Sequence, residues 1–437
     1  MINLFISLII SNFTTYLITD NMKITKTIET FLLRDEMEKE LEELDFRMKG
    51  KVVYPVGLIL LSALAGVMMG AGTWNDIAYS ASLRSDILLK FYPDVKQMPS
   101  HDTLRRFFSL VSTEALEQVY RNWAQSCLRD VFTPTEPVKD ERCRRDQILY
   151  PEKPTGKHVA LDGKTIRGAM GKAGSAKNLK MHILSAFAVE QGICLGQMKM
   201  PDKSGEITNL PLLIKELNIG KGDVVTVDAI GAQTKIVKAI REKEADYVIP
   251  IKGNQAGTLK AIKEALNCDL RHKRLRNDEA EEYEDSHGRL VRRWCFLSAE
   301  MRCLGEVHNK WPGVCSFGVI RTERTMKSTG KTTVENHYFI SSLGRNAEII
   351  MHYKREHWRV ENNLHWRLDV QYGEDDDRKK LNSAQNFSLI NKMVMTILKL
   401  EETKETQGRK RLCAALNPKF LEKIIHLFIS HFGKTEG

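Results

Sequence analysis

The sequence predicts an α/β protein: a mixed-sheet core that follows a helical N-terminal domain and is interrupted by a β-rich insertion. Three observations predict it. From His158 onward, three strand-type runs come in succession, and helices and strands then alternate as far as Leu266. A mixed sheet needs that order, because antiparallel neighbours join by short turns and parallel ones need a crossover. Residues 23–135 instead read as helical, with Thr30–Leu44 charged and amphipathic. Residues 269–344 return to strand-type runs at Leu290–Leu297, Val314–Arg321 and Thr333–Ser341, before a last helical stretch.

Taken in order, residues 1–22 read as an upstream extension. Residues 2–19 carry no charge, but polar residues such as Asn3, Ser7 and Thr14 dilute the apolar run, and Met22 opens a segment like an ordinary start. Val52–Thr73 is also uncharged, and its charged flanks favour a buried helix over a membrane span. In the helical domain, residues 23–135, Ser100 is a candidate N-cap. The helix after it buries Leu104, Phe107, Phe108 and Val111 and turns Arg105 and Arg106 outward, which suits a DNA-recognition helix or an ordinary bundle helix. The Pro- and charge-rich residues 136–157 read as a linker.

The core begins at residue 158 and its first part runs to 268. Its strands are His158–Ile166, His182–Val189, Leu195–Met200, Val224–Asp228 and Tyr247–Ile251. Its helices are Asn209–Leu217, Thr234–Glu244 and Gly257–Leu266. The insertion occupies 269–344, the second part of the core 345–400, and a helical tail 401–437, where Phe420–Phe432 is an apolar helix for packing or self-association.

The 437 residues suffice for two or three domains. Charged residues make up 28% and hydrophobic ones 42%, ordinary for a water-exposed globular chain. A net charge of +10 favours a polyanionic partner through phosphate attraction. The eight cysteines include no C-x-x-C pair, which argues against a zinc knuckle or disulfide framework and for reduced thiols in a cytoplasm.

Chemistry concentrates in three acids. In His357–Asp377, HWRVENNLHWRLDVQYGEDDD, residues Trp358, Glu361, Leu364, His365 and Leu368 recur at helical steps on one mostly apolar face. A carboxylate on such a face needs a cation, a hydrogen-bond network or a metal. Asp162 and Asp228 each directly follow a short apolar strand run, as residues at sheet-lined clefts do. Together the three form a candidate carboxylate site. Gly163-Lys164-Thr165 is not a phosphate loop, because His158 stands where that motif needs its first glycine. Lys164 beside Asp162 and Lys252 after the strand Tyr247–Ile251 are candidate phosphate contacts or solvated lysines. His357, Glu361 and His365 at four-residue steps would also suit a zinc hydrolase, but H-E-x-x-H is absent.

The segments LDGKTIRGA, KSGEITNLPLLIKEL, VTVDAIGAQ, DYVIPIKGNQ and HWRVENNLHWRLDVQYGEDD occur in this order and span roughly residues 30 to 400 with their flanks. The chain so resembles the DDE transposases of bacterial insertion sequences, in the branch of the H-repeat (Rhs-associated) proteins. The resemblance implies an RNase H-like catalytic core with Asp162, Asp228 and Glu361 as ligands of two Mg2+ ions, Mn2+ being a substitute. It implies an insertion-sequence transposase that binds double-stranded DNA at element ends and at targets. It also implies a homodimer in the DNA complex, in a bacterial cytoplasm and without a membrane. A nuclease that cuts without joining, or a DNA-binding derivative without catalysis, remains the alternative. The related pattern Tyr-x2-Arg-x3-Glu-x6-Lys falls on Lys354, His357, Glu361 and Leu368, so only the Glu matches. Arg359 or Arg367 is then the candidate phosphate contact. His357, one turn before Glu361, either reaches the site or is a hydrogen-bonded core histidine.

Overall fold

The computed structural model describes residues 29–134, 154–166, 181–200, 205–272, 277–376, 378–379 and 382–434. The expected upstream extension and residues 136–153 of the expected linker lie outside them. The chain closes into two compact units, Met1–Cys127 with Lys379–Gly437, and Leu128–Arg378.

The first unit is helical. Its centre is the helix Val56–Met68, in which every residue is buried. Such a helix has no solvent face and must be covered on all sides. Gly66 permits one close crossing: a Cβ there would stand 2.8 Å from Ile77 Cα of the helix Trp74–Leu83. The run Val52–Thr73 thus holds a core helix, and among the described residues no helix is long and apolar enough to cross a membrane. His101–Leu110 starts at Ser100, whose hydroxyl accepts from Thr103 N, and it buries Leu104, Phe107 and Phe108. The helix Asn382–Leu400 belongs to this unit, although the sequence grouped residues 345–400 with the sheet core. It is buried from Ser383 to Leu398, and Asn386 Nδ2 donates to Phe108 O at 3.0 Å. Trp74 stacks on Phe108 and meets Phe387 edge-on. The tail helix Pro418–Ile429 also packs here, where its Phe428 carbonyl accepts from Trp123 Nε1.

The second unit is built on one nine-stranded sheet, ordered β3-β2-β1-β4-β5-β9-β8-β7-β6. Its strands are β1 (His158–Ile166), β2 (Met181–Ala188), β3 (Ile193–Met200), β4 (Val224–Val227), β5 (Asp246–Ile251), β6 (Asn277–Ser286), β7 (Arg289–Ser298), β8 (Ser316–Met326) and β9 (Thr332–Ser341). β1, β2 and β3 form an antiparallel meander, while β4 and β5 lie parallel to β1. The parallel steps use the crossover helices Glu206–Glu216 and Thr234–Glu242. This is the RNase H-like arrangement.

β9 extends the sheet through four register pairs, Val248↔Ser341 to Ile251↔Tyr338. β8, β7 and β6 continue it antiparallel, so the expected β-rich insertion is a continuation of the core sheet. β6, NDEAEEYEDS, is a strand that the sequence showed only as an acidic run. Its acids have low strand propensity, but arginines on β7 answer them: Arg293 binds Glu282 at 2.7 Å and Glu284 at 2.8 Å, and Arg292 binds Glu281. Among the described residues, β6 pairs only with β7 and forms one edge of the sheet.

Candidate metal centre

The β1–β4 register pairs Leu161 with Val227. Asp162, the next residue of β1, and Asp228, the first residue past β4, follow that last pair. Local sequence fixes each. Asp228 Oδ1 accepts from Ile230 N at 2.9 Å and Gly231 N at 3.1 Å, a turn that Asp makes readily. Gly231 is required there, since a Cβ would lie 2.8 Å from Val227 Cβ. A Cβ on Gly163 would meet Glu206 Oε1 at 2.4 Å, so the residue after Asp162 must also be small.

The third acid comes from a broken helix. Ala347–Glu356 begins at Asn346, which caps Ile349 N. The helix turns at His357–Trp358, makes one π turn at Glu361–His365, and resumes as Trp366–Tyr372. Gly373, at φ 63°, ends it in the left-handed conformation. The break changes which face is buried. Leu364, His365 and Leu368 point inward as the spacing predicts, whereas Trp358 is 62% exposed and the Glu361 side chain 56% exposed. A regular helix would have kept all five together; the added width of the π turn does not.

The result is a cluster. His365 Nδ1 lies 3.1 Å from Glu361 Oε2 and 3.4 Å from Asp162 Oδ2. One ligand atom from each of Asp162, Glu361 and His365 falls within 4.8 Å of the others, close enough to share an ion. The hydrogen bond from His365 holds the Glu361 carboxyl below the usual carboxylate range. Burial works against a charged His365, but Asp162 and Glu361 outweigh it and raise the imidazole's pKa. Asp228 is not part of this three-atom cluster.

The other expected site residues divide. Lys164 is drawn into an ion triad with Asp369 and with Glu374, the latter at 2.9 Å. Burial alone would lower its pKa, but the two acids hold the ammonium above its ordinary value. His357 is buried, with Nδ1 2.9 Å from the Thr226 hydroxyl, which lies 2.8 Å from His158 Nε2. Burial first, and Lys354 second, push His357 down to about 4; burial pushes His158 down to about 3. Arg359 binds Glu356 at 2.6 Å. Arg367 is half-buried and makes no ion pair among the described residues. Lys252 is exposed after β5, and with burial it pushes the Lys354 ammonium down to about 8, against the pull of Asp228. Arg105 pairs with Asp102 at 2.8 Å, and Arg106 is exposed. Sequence reasoning missed the contact of His365 with both acids and the ties of Asp369 and Glu374 to Lys164. The signals available were the four-residue step from Glu361 and the acids of LDVQYGEDD.

An RNase H-like sheet whose strand-borne Asp162 meets a helix-borne Glu361 and His365 defines a metal-dependent enzyme of the DDE class. A family model described as "Transposase DDE domain" matches residues 153–397, and one for the segment associated with that domain matches residues 40–124. The chain belongs to the DDE transposases, in the group of the H-repeat-associated proteins. It is 32% identical to "Putative transposase YncI" of Escherichia coli O157:H7, over 87% of this chain and 92% of that protein. It is 31% identical to "H repeat-associated putative transposase YhhI" of Escherichia coli strain K12, over 89% and 98%. A piggyBac transposase synaptic complex with hairpin DNA matches 87% of this chain and 83% of that one, at 11% identity and a TM-score of 0.34. The fold assignment stands on strand order, not on that superposition.

Proposed function

We propose that this transposase binds the double-stranded DNA ends of its own insertion sequence, cuts them and joins the freed ends to target DNA. Asp162, Asp228 and Glu361 would hold two Mg2+ ions, with Mn2+ as a substitute. The observation that carries this is the convergence of Asp162 Oδ2 and Glu361 Oε2 on one imidazole nitrogen, from elements far apart in sequence. Carboxylate oxygens suit hard divalent cations, and Asp228, the first residue past β4, would supply the third acid. Bound there, such cations supply Lewis-acid stabilisation of phosphoryl oxygens and lower the pKa of an attacking hydroxyl.

The protein's own part is placement. β1 would hold Asp162 and the turn after β4 would hold Asp228, while the π turn sets Glu361 near Asp162. Lys252, Lys354 and Arg367 are the candidate phosphate contacts at the core. Lys164 and Arg359 are already answered by acids and serve structure first. In the helical unit Arg105 and Arg106 face outward for DNA, and a net charge of +10 supports binding that weakens with salt. The six described cysteines are free thiols, in keeping with a bacterial cytoplasm. The DNA complex would be a homodimer.

Mg2+-dependent cleavage and joining of end DNA by the full chain tests this. Asp162→Asn, Asp228→Asn and Glu361→Gln should each lower cleavage about a thousandfold and leave the thermal midpoint unchanged. Cleavage within tenfold of wild type in any one variant would remove that acid from the site. Cutting without joining would decide for the nuclease.

A further inference from the structure

We infer that His365 is a positioning residue: its Nδ1–H spans Asp162 and Glu361 and holds both carboxylates for the metal, and it is not itself a metal ligand. The inference deepens the proposed two-metal site and rests on that reading.

His365 is 3% exposed, so both nitrogens must find partners inside the protein. Nδ1 has two: Glu361 Oε2 at 3.1 Å and Asp162 Oδ2 at 3.4 Å. Nε2 is buried and has no hydrogen-bond partner. With a divalent cation on the same carboxylates the imidazole is neutral, and it then carries one proton, on one nitrogen. If Nδ1 bound a metal, the proton would sit on Nε2 as a buried donor with nothing to receive it. Ligating histidines almost always give that second N–H to a carboxylate, carbonyl or water. Among the described residues this one has no such acceptor. If Nδ1 carries the proton, it donates to both carboxylates, and only an acceptor lone pair is left unmet on Nε2. Orphaned acceptors are tolerated more often than orphaned donors.

The backbone serves the same arrangement. Glu361 and His365 are the first and last residues of the π turn, and this widened turn sets the imidazole beside the carboxylate on its own helix. The same nitrogen then reaches across to β1. One hydrogen therefore ties the strand-borne acid to the helix-borne acid, whose side chain is otherwise largely in solvent. Without it Glu361 would sample several rotamers, and ordering it would fall to the metal.

Mn2+ binding to the full chain without DNA tests this independently of catalysis. In wild-type protein, pulsed EPR of bound Mn2+ should show no coupling from a directly coordinated imidazole nitrogen. His365→Asn keeps a short N–H donor and should bind Mn2+ within about threefold of wild type. His365→Ala should bind on the order of 10–100-fold more weakly, the usual loss when a residue that orients a ligand is removed. His365→Asp supplies a hard ligand but no donor, and should bind as weakly as His365→Ala. A directly coordinated nitrogen in the wild-type spectrum would overturn the inference, and so would tight binding by His365→Asp with weak binding by His365→Asn. Asp162→Asn is the control. If it binds Mn2+ normally, the metal site itself is wrong, whatever His365 does. His365→Ala leaves a cavity in a buried site, so where that variant does not fold the wild-type spectrum decides alone.

Discussion

The two halves of the metal centre are built differently. Asp162 sits within β1, where pairing with Ser185 of β2 fixes its place, and Asp228 follows β4 in a turn that its own side chain caps. Glu361 and His365 sit on a helix that turns, widens by one residue and resumes within sixteen residues, 357 to 372. A sheet position cannot shift by one without sending every side chain to the other face. A helix position can, at the cost of a local break. The site thus joins a rigid half to a half adjustable by a single residue.

Deleting Asn363 would break this contrast most sharply. It would turn the π turn into ordinary helix and change the step from Glu361 to His365 from four residues to three. The protein should stay folded, with an unchanged circular-dichroism spectrum. Cleavage should drop by about 100-fold or more, the effect of moving a reacting group by about an ångström. Deleting Thr226 from β4 should instead prevent folding. If the Asn363 deletion also unfolds the chain, the helix half is no more adjustable than the strand half.

A smaller effect tests how the halves are fastened. Lys164 on β1 holds Asp369 and Glu374 beyond the π turn. Lys164→Met leaves two acids facing each other without a cation and should cost about 3 kcal/mol in urea unfolding, as breaking a buried ion pair does. Adding Glu374→Gln should restore part of that. No change in the unfolding midpoint for Lys164→Met would show that the triad fastens nothing.

An effect visible only as pH changes concerns the seam at Thr226, between His158 on β1 and His357 at the helix turn. Both histidines are held well below the unfolded value of about 6.5, His357 at about 4 and His158 at about 3. Between those limits the unfolded chain binds protons that the folded chain does not, so stability rises with pH. It should be fully present above pH ~6.5 and lost as pH falls toward 4, with each histidine contributing about 1.4 kcal/mol per pH unit inside the window. His357→Gln should remove one histidine's share of the slope. An unchanged slope would mean that His357 is not buried neutral.

The contrast also explains what could be read from sequence. Asp162 and Asp228 stood out because each ends an apolar strand run, and a charge there has few structural uses. Glu361 was found through its place in a helical period, yet that period misplaced Trp358 and buried Glu361. A π turn has no residue signature, so the sequence could not show that the face changes there. His365 at a four-residue step fits a core histidine as well as a partner of Glu361; only the distances decide. Asn382–Leu400 shows the same limit at larger scale. Its apolar residues announced a buried helix, but burial says nothing of which unit provides the cover. β6 failed for the opposite reason: six acids in ten residues argue against a strand until the arginines of β7 are beside them.

That acidic outer strand has a consequence for how the protein behaves in solution. A nine-stranded sheet ending in a bare strand offers unpaired backbone groups to any other chain. Here the bare strand is β6, with Asp278, Glu279, Glu281, Glu282, Glu284 and Asp285 along its length. A second copy approaching edge to edge would have to desolvate these charged side chains and their ion pairs, which opposes pairing. The strand therefore guards against aggregation during expression and storage, and that guard depends on charge. Near neutral pH and at low salt the acids keep copies apart. High salt weakens the guard.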